Sequence, residues 1–484
     1  MTAAARGRWG TWPLALAVAS IVLAGAIALV PHYKLRQPDP YAYRASIAAL
    51  LDGRVALDAA QYRQLSAELS KVDDGWDSGI GIVQWTRTPA GGFVSEKNPG
   101  YPFLAAPFAV VGLTRLAPIL CFLVGCAGLW LAGHRWLGAW GGAFAVALFC
   151  SSGTFVTMLH EAYMPTATEA SLLAGGGGLI LWALLDERGG RSAVLAGTLG
   201  FLLVGVAVTV RYTAIVVLGV LGVTAALWVV RRASPVRARR LALWGVAGAL
   251  GTVLALVYDW LVFGSPLRTG YSQGVSFSAG AMLRNLRTMP LPLLIGMPVA
   301  VLAAAGVVWV LIAARGAGTP TRRRDLAVVG CLVAWWLAVW LTYLAYDWTT
   351  VVRFSVSFPL TSRFYLPALG ALALLGAFPL ARAPRRVGVP LVAALLFVGA
   401  AASIYAVTGD WLYGHGASPV TPLRGMPLPG APGGLPGGAP PPGGMPPGAM
   451  PPGGLPGGAP PRGGMPSGAP PPGGMPSGGP SEGP

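Results

Sequence analysis

Residues 95–108 read SEKNPGYPFLAAPF, and within them a long polar segment returns to strongly apolar sequence. Prolines fix the backbone φ angle after Lys97, and Gly100 permits conformations that are closed to other residues. We therefore expect the lysine to be held in place where water meets an apolar environment. A cation at such a boundary can bind the phosphate of a lipid, or it can be an interfacial lysine that extends its ammonium group into water.

The composition is that of a membrane protein. The 484 residues are 54% hydrophobic and 11% charged, whereas soluble domains carry about 25% charged residues. Runs long enough to cross about 30 Å of hydrocarbon recur along the chain. They lie at residues 11–30, 116–133, 138–157, 170–185, 192–210, 212–230, 241–258, 290–313, 326–346, 364–381 and 388–407. The sequence thus predicts an all-α polytopic membrane protein with about eleven transmembrane helices.

The arginines set the expected orientation, because short cytoplasmic loops collect basic residues. Their dense clusters fall between alternate spans, at residues 231–240, 322–324 and 382–386. This places the N-terminus in the cytoplasm and the segment after the first span outside. Abundant Arg, Ala and Gly indicate GC-rich coding DNA, and hence a bacterial plasma membrane. We interpret the net charge of +17 as a topology signal and expect no nucleic-acid partner.

Composition divides the chain further. The segment before residue 101 is too long for a connector, and it is predicted to hold two amphipathic helices on the membrane surface, over 39–51 and 58–72, and a hairpin over 80–96. The C-terminal segment, rich in Pro, Gly and Met, cannot bury enough apolar surface to fold and is predicted to be disordered. Four regions result: 1–31, cytoplasmic N-terminus and first transmembrane helix; 32–100, extracytoplasmic loop; 101–410, transmembrane helical domain; 411–484, tail.

Acidic and basic side chains gather on the predicted outer side. Asp39 precedes a short helix. It is interpreted either as a catalytic base or only as the cap of that helix. Glu169 opens the fourth span, where the helix dipole favours an acid. Arg211 lies between two spans without room for a loop. It is interpreted either as a functional group or as a cation that reaches the outer surface. Other candidates lie in later outer loops: Tyr271, Arg353 and Arg363. The Tyr-Asp-Trp triplets at 258–260 and 346–348 are interpreted as interfacial aromatic belts.

Chemistry outside the cell lacks cytosolic nucleotide donors, so a group-transfer enzyme there would take its donor from the membrane. A lipid-phosphate sugar fits this requirement. Its leaving phosphate needs Lys or Arg, and its acceptor hydroxyl needs a carboxylate base within hydrogen-bond reach. The sequence shows neither a Walker nor a dinucleotide glycine motif. The four glycines at 175–178 are interpreted as a site of close helix packing.

Several motifs, in this order, carry a family resemblance. They are the acid and short helix at 39–51, EKNPGYP at 96–102 followed by APF at 106–108, Thr168-Glu169, FGSP at 263–266 and RFYLP at 363–367. Over residues 12–410 the chain resembles the GT-C integral-membrane glycosyltransferases, particularly bacterial relatives of protein O-mannosyltransferases and of the lipid A aminoarabinose transferase. Many members carry two adjacent acids after the first span, whereas Pro40 follows Asp39 here. This departure leaves metal use and activity open.

The resemblance implies a hexosyltransferase that uses a polyprenyl-phosphate sugar and an extracytoplasmic acceptor, in contact with membrane lipids. By position, Asp39 and Glu169 take the catalytic roles. Substrate binding falls to Lys97, Arg211, Tyr271, Arg353 and Arg363. No cofactor is expected, and a divalent metal has no support. Two alternatives stay open: a lipid or solute transporter or flippase, which should carry charges at mid-membrane and two related halves, and a catalytically silent envelope scaffold that works through its tail.

Overall fold

The computed structural model describes residues 11–30, 38–64, 85–186, 190–230, 235–271, 277–316, 319–346, 349 and 362–408. The chain divides into two units, Met1–Gly444 and Met445–Pro484, and all described residues belong to the first. Three features of the sequence analysis lie outside the described residues. They are the tail from 411, most of the predicted second amphipathic helix, and Arg353. The described part of that second helix is helical over 59–64.

Helices make up nearly all of the described structure. The α-helices, numbered in chain order, are α1 (Thr11–Leu29), α2 (Pro38–Leu51), α3 (Gly100–Ala109), α4 (Leu116–Leu137), α5 (Ala139–Cys150), α6 (Gly153–His160), α7 (Pro165–Leu185), α8 (Arg191–Val210), α9 (Ile215–Val230), α10 (Pro235–Phe263), α11 (Ala279–Thr288), α12 (Pro290–Gly296), α13 (Val299–Gly316), α14 (Thr319–Leu344), α15 (Leu369–Arg382) and α16 (Arg385–Thr408). Two 3₁₀ turns, Tyr212–Ala214 and Arg363–Ala368, precede α9 and α15.

The predicted all-α polytopic fold is confirmed. Within the described ranges, 9 helices are long and apolar enough to cross a membrane, and the number rises to 11 if each of two bent helix pairs forms one span. The upper number agrees with the spans predicted from sequence.

The two bent pairs depart from the continuous spans that the sequence predicts. Helices α5 and α6 meet at 64°, and α12 and α13 meet at 96°. The first break is capped by Ser152, whose side chain accepts a hydrogen bond from the Phe155 amide. The second break lies at Pro298, which lacks the N–H that a continuous helix needs. The breaks also contact each other, since Ser152 Oγ donates to the Gly296 carbonyl at 2.9 Å. This bond satisfies the carbonyl at the end of α12, next to the break.

The predicted hairpin is confirmed over its described part. Strand β1 (Trp85–Arg87) pairs antiparallel with β2 (Phe93–Ser95), with Thr86 opposite Val94. Gly91 takes a positive φ of 84° in the connecting turn, a conformation that favours glycine. The second strand ends directly before Glu96 and Lys97, so the hairpin fixes where these two residues enter the fold.

The expectation that α2 lies along the membrane surface stays a prediction, and the structure shows this helix covered by the rest of the protein. Its buried residues point in every direction around the helix axis, and they include Tyr43, Arg44, Ala45 and Ile47. A helix buried on all sides packs inside the protein. The Tyr43 ring meets the Tyr101 ring of α3 edge to face, with centroids 5.7 Å apart.

The glycines at 175–178 pack helices closely, as predicted. A Cβ atom at Gly178 would overlap the backbone of Gly128 in α4, and one at Gly128 would overlap the backbone of Gly175. Backbones approach this closely only where side chains are absent. Helix α7, which carries Glu169 near its start, is thereby fixed against α4.

Candidate active site

The candidate site lies where the ends of several helices meet. Helix α7 begins here, α8 and α14 end here, and the 3₁₀ turn before α15 begins here. The first turn of α2 brings Asp39 to the same place. The opposite ends of these helices carry other ion pairs, which take no part in the site. Arg135 pairs with Asp186 at 2.8 Å, and Arg382 pairs with Asp325 at 3.2 Å. The site therefore occupies one end of the helical bundle.

Asp39 joins two of the predicted cations. Its Oδ1 lies 3.0 Å from Lys97 Nζ, and its Oδ2 lies 3.3 Å from Arg363 Nη2. The three side chains are 18%, 7% and 10% exposed, respectively, so water screens these contacts only weakly. The helix dipole also favours a carboxylate in this first turn. One acid and two cations predicted separately from sequence thus form one cluster.

Lys97 is buried among acidic and aromatic groups. Besides Asp39, its ammonium contacts Glu96 Oε1 at 3.4 Å and lies 5.1 Å from the centre of the Tyr271 ring. A snorkelling lysine keeps its ammonium in water, and this one does not. Burial alone would lower the pKa of Lys97, but the charges of Asp39 and Glu96 raise the pKa above its ordinary value. Burial raises the pKa of Glu96, against the opposing charge of Lys97.

Two glycines allow the backbone on either side of Lys97 to approach its neighbours. A Cβ at Gly100 would lie 2.5 Å from the Thr209 carbonyl carbon, near the end of α8. A Cβ at Gly270 would lie 2.5 Å from the Cα of Glu96. Real Cβ atoms are essentially never found this close to other atoms. Glycine at both positions thus lets the Lys97 segment fit between α8 and the loop that carries Tyr271.

Arg211 and Glu169 form the second charged contact of the site. Arg211 Nη1 lies 3.7 Å from Glu169 Oε2, and the Glu169 side chain is 0% exposed. Residues that follow Arg211 are also fixed, because Tyr212 donates to Asp259 at 2.7 Å and Thr213 lies 2.6 Å from the Tyr343 hydroxyl. The tight turn therefore presents the guanidinium group from a rigid connection.

Arg363 is anchored to the two broken helices through the residue before it. The Ser362 hydroxyl lies 2.6 Å from Thr154 Oγ1 in α6, and Gly296 of α12 packs directly on both hydroxyl groups. The guanidinium of Arg363 then extends over the Phe364 ring, 5.0 Å from its centre. Both helix breaks thus help to place a cation of the site.

A small cleft opens beside Lys97. Its walls are largely apolar, and its lining residues are Ser46, Leu50, Val55, Ser95, Lys97, Pro99, Pro102, Phe103 and Tyr258. Phe103 is 51% exposed. An apolar surface therefore leads directly to a buried ammonium group.

The sequence identified most of the charged groups and missed some of their neighbours. Structure brings Asp39, Lys97, Tyr271 and Arg363 together and pairs Glu169 with Arg211, whereas Arg353 lies outside the described residues. Phe364 and Asp259 were not predicted. The Tyr-Asp-Trp triplet at 258–260 drew attention to this position only as part of an aromatic belt. In the structure the Asp259 carboxylate is 1% exposed and accepts a hydrogen bond from Tyr212. Among the described residues, no three His, Cys, Asp or Glu side chains gather as a metal-binding group.

No family model and no curated protein matches the sequence. The oligosaccharyltransferase of Archaeoglobus fulgidus, solved with a tethered acceptor peptide, matches with a TM-score of 0.49 and 12% identity over 85% of this chain and 60% of its own. ArnT from Cupriavidus metallidurans in the apo state matches with a TM-score of 0.48 and 16% identity over 85% of this chain and 78% of its own. ArnT from the same organism bound to undecaprenyl phosphate matches with a TM-score of 0.44 and 18% identity over 79% of this chain and 64% of its own. This chain thus spans 60% of the length of the archaeal enzyme. Likenesses this distant do not bear on the reaction or the substrates of this chain.

Proposed function

We propose that the protein is a membrane glycosyltransferase that moves a hexosyl group from a polyprenyl-phosphate donor to an acceptor hydroxyl on the extracytoplasmic side. One observation carries this proposal: the Asp39 carboxylate lies within 3.0 and 3.3 Å of Lys97 and Arg363. Such a transfer needs a base for the acceptor proton and cations for the leaving phosphate at the same place. The cluster supplies both.

In the proposed step, the bond between the anomeric carbon and the phosphate oxygen breaks, and the phosphate keeps the electron pair. The acceptor oxygen forms the new bond to that carbon, and its proton passes to Asp39. Lys97 and Arg363 stabilise the charge that develops on the leaving phosphate. Arg211 supports them from the turn between α8 and α9, with the buried Glu169 behind it.

The donor must compete with Asp39 for its cations, because both carboxylate oxygens have a cationic neighbour in the free protein. A phosphate that binds Lys97 and Arg363 releases Asp39 from them.

The cleft next to Lys97 supports a lipid donor over a soluble one. Leu50, Val55 and Phe103 offer apolar surface beside the cation that would hold the phosphate. An amphiphile with a phosphate head and a hydrocarbon chain matches this arrangement. The described charged contacts also lie at the ends of helices, whereas transporters bind their substrates near the middle of the membrane.

The test is transfer by the purified protein in lipid nanodiscs. Polyprenyl-phosphate sugars of several hexoses are incubated with it and an envelope extract as acceptor source, and released polyprenyl phosphate is measured by mass spectrometry. Release by the wild type, its loss in Lys97→Gln, and its retention in Arg135→Gln at the opposite helix ends are expected. A folded wild type that releases no lipid phosphate from any donor would refute the proposal and favour a silent scaffold.

A further inference from the structure

We infer that Phe364 is a positioning residue that holds Arg211 and Arg363 around one aromatic ring as a paired guanidinium site for the donor phosphate. This role rests on the proposed function and adds to it. Arg363 Cζ lies 5.0 Å from the centre of the Phe364 ring, and Arg211 Cζ lies 5.5 Å from the same centre. One aromatic ring therefore contacts two cations that come from distant parts of the sequence.

The contacts form a continuous series through the site. Asp39 bonds Arg363, Arg363 lies over Phe364, Phe364 lies under Arg211, and Arg211 faces Glu169. Each guanidinium group thus has a carboxylate as one neighbour and the shared ring as another. The two carboxylates differ in exposure, because Asp39 is 18% exposed and Glu169 is 0% exposed.

The physical need for the ring follows from the charges. Two guanidinium groups that flank one ring in a poorly solvated site repel each other more strongly than they would in water. The face of an aromatic ring carries partial negative charge and attracts cations, more so when water is excluded. Phe364 offers this attraction without forming an ion pair, so it does not compete with phosphate oxygens for the N–H donors. A phosphate can then bind both arginines, whose planar donors suit bidentate contacts.

Phe364 is itself held in place by other rings. It is 6% exposed, and its centroid lies 5.5 Å from that of Tyr343 and 5.8 Å from that of Tyr346. Tyr343 also contacts Thr213 in the turn that follows Arg211. The ring is therefore fixed relative to both arginine-bearing segments.

The experiment replaces Phe364 with mono-, di- and trifluorinated phenylalanine, which progressively weaken the negative ring face while nearly preserving its shape. Binding of undecaprenyl phosphate to the full-length protein in nanodiscs is measured by native mass spectrometry, and donor KM and kcat are measured in parallel. Affinity should fall stepwise to about tenfold at the trifluorinated ring, in line with the usual strength of cation–π contacts. Donor KM should rise more than kcat falls, because the phosphate charge is present before and during transfer.

The same fluorinated series at Phe155, which packs on Phe149 with centroids 4.3 Å apart, is the matched control and should leave affinity unchanged. Conventional variants add a second test, in which Phe364→Tyr keeps the affinity and Phe364→Leu reduces it. An affinity that does not change along the Phe364 series, in a wild type that does bind undecaprenyl phosphate, would overturn the role of Phe364 alone. A wild type that binds no undecaprenyl phosphate and transfers no sugar would overturn the proposed function as well.

Discussion

The Asp39→Asn protein is expected to bind lipid phosphate more tightly than the wild type while transferring sugar far more slowly. Asparagine keeps the shape of the side chain and removes its charge. Lys97 and Arg363 then lose the carboxylate that now competes with the phosphate. The same substitution removes the proposed base, which typically contributes about 10²- to 10⁴-fold to the rate. Affinity and turnover should therefore move in opposite directions.

The size of each effect follows from Coulomb's law and from the loss of an ion pair. For an assumed separation of about 8 Å and an effective dielectric constant near 20, a negative charge opposes the bound phosphate by about 2 kcal/mol, which is roughly 30-fold in affinity. Stability should fall in the absence of donor. Loss of one member of a buried ion pair costs about 3–5 kcal/mol, but asparagine still accepts a hydrogen bond and Lys97 keeps Glu96 at 3.4 Å. We therefore expect a loss of about 2 kcal/mol.

The assay combines thermal unfolding in detergent, with and without undecaprenyl phosphate, and single-turnover transfer from the donor. Lipid phosphate should raise the unfolding temperature of Asp39→Asn more than that of the wild type. Lys97→Gln should lose both affinity and rate, since it removes a phosphate ligand and keeps the base. Asp186→Asn removes a carboxylate from a comparable ion pair at the other end of the helices and should change neither. Unaltered turnover in a folded Asp39→Asn protein would remove this residue from the mechanism.

Three further predictions concern packing, pH and the tail. Gly178→Ala places a methyl group against the Gly128 backbone and should destabilise the protein by about 1–3 kcal/mol. The control Gly222→Ala adds a methyl group in open space within a helix and should leave stability unchanged or raise it by up to about 1 kcal/mol. Equal unfolding temperatures of the two variants would contradict this prediction. Because burial raises the pKa of Glu96, its contribution to stability is complete at low pH and is lost as the pH rises above its ordinary value of 4.5. Glu96→Gln should then gain stability relative to the wild type as pH rises, and the reverse trend in pH-dependent unfolding would contradict that reasoning. Truncation near residue 417 should leave transfer from the lipid donor nearly intact, because the removed segment lacks catalytic side chains, and complete loss of activity would show that the tail is needed.

The membrane helices were predictable because the length of an apolar run is a local property of the sequence. The two bends were not, because both lie within runs that remain apolar across the break. Pro298 gives a local signal for one of them. Ser152 gives none until its hydroxyl is seen to bond the Gly296 carbonyl, 144 positions further along the chain. Tertiary contacts, rather than composition, thus determine where these apolar runs bend.

The charged residues of the site were predictable as types but not as partners. Asp39 and Arg363 stand 324 positions apart, so local patterns cannot join them, and only the order of the motifs suggested a common site. Phe364 could not be predicted as a site residue, because an aromatic residue beside an arginine in an apolar segment is usually part of a core. Its role becomes visible only when Arg211 is found over the same ring.

In the proposed function, the pairing of charges in the free site links donor binding to activation of the base. Each cation already has a carboxylate neighbour, with Asp39 serving Lys97 and Arg363 and with Glu169 serving Arg211. An incoming phosphate can displace Asp39, which is partly exposed, more readily than the fully buried Glu169. Arg211 therefore stays in place while the other two cations change partner. Under this proposal, Asp39 gains the freedom to accept a proton only when the phosphate has taken its place, so the carboxylate becomes an effective base when the sugar to be transferred is present.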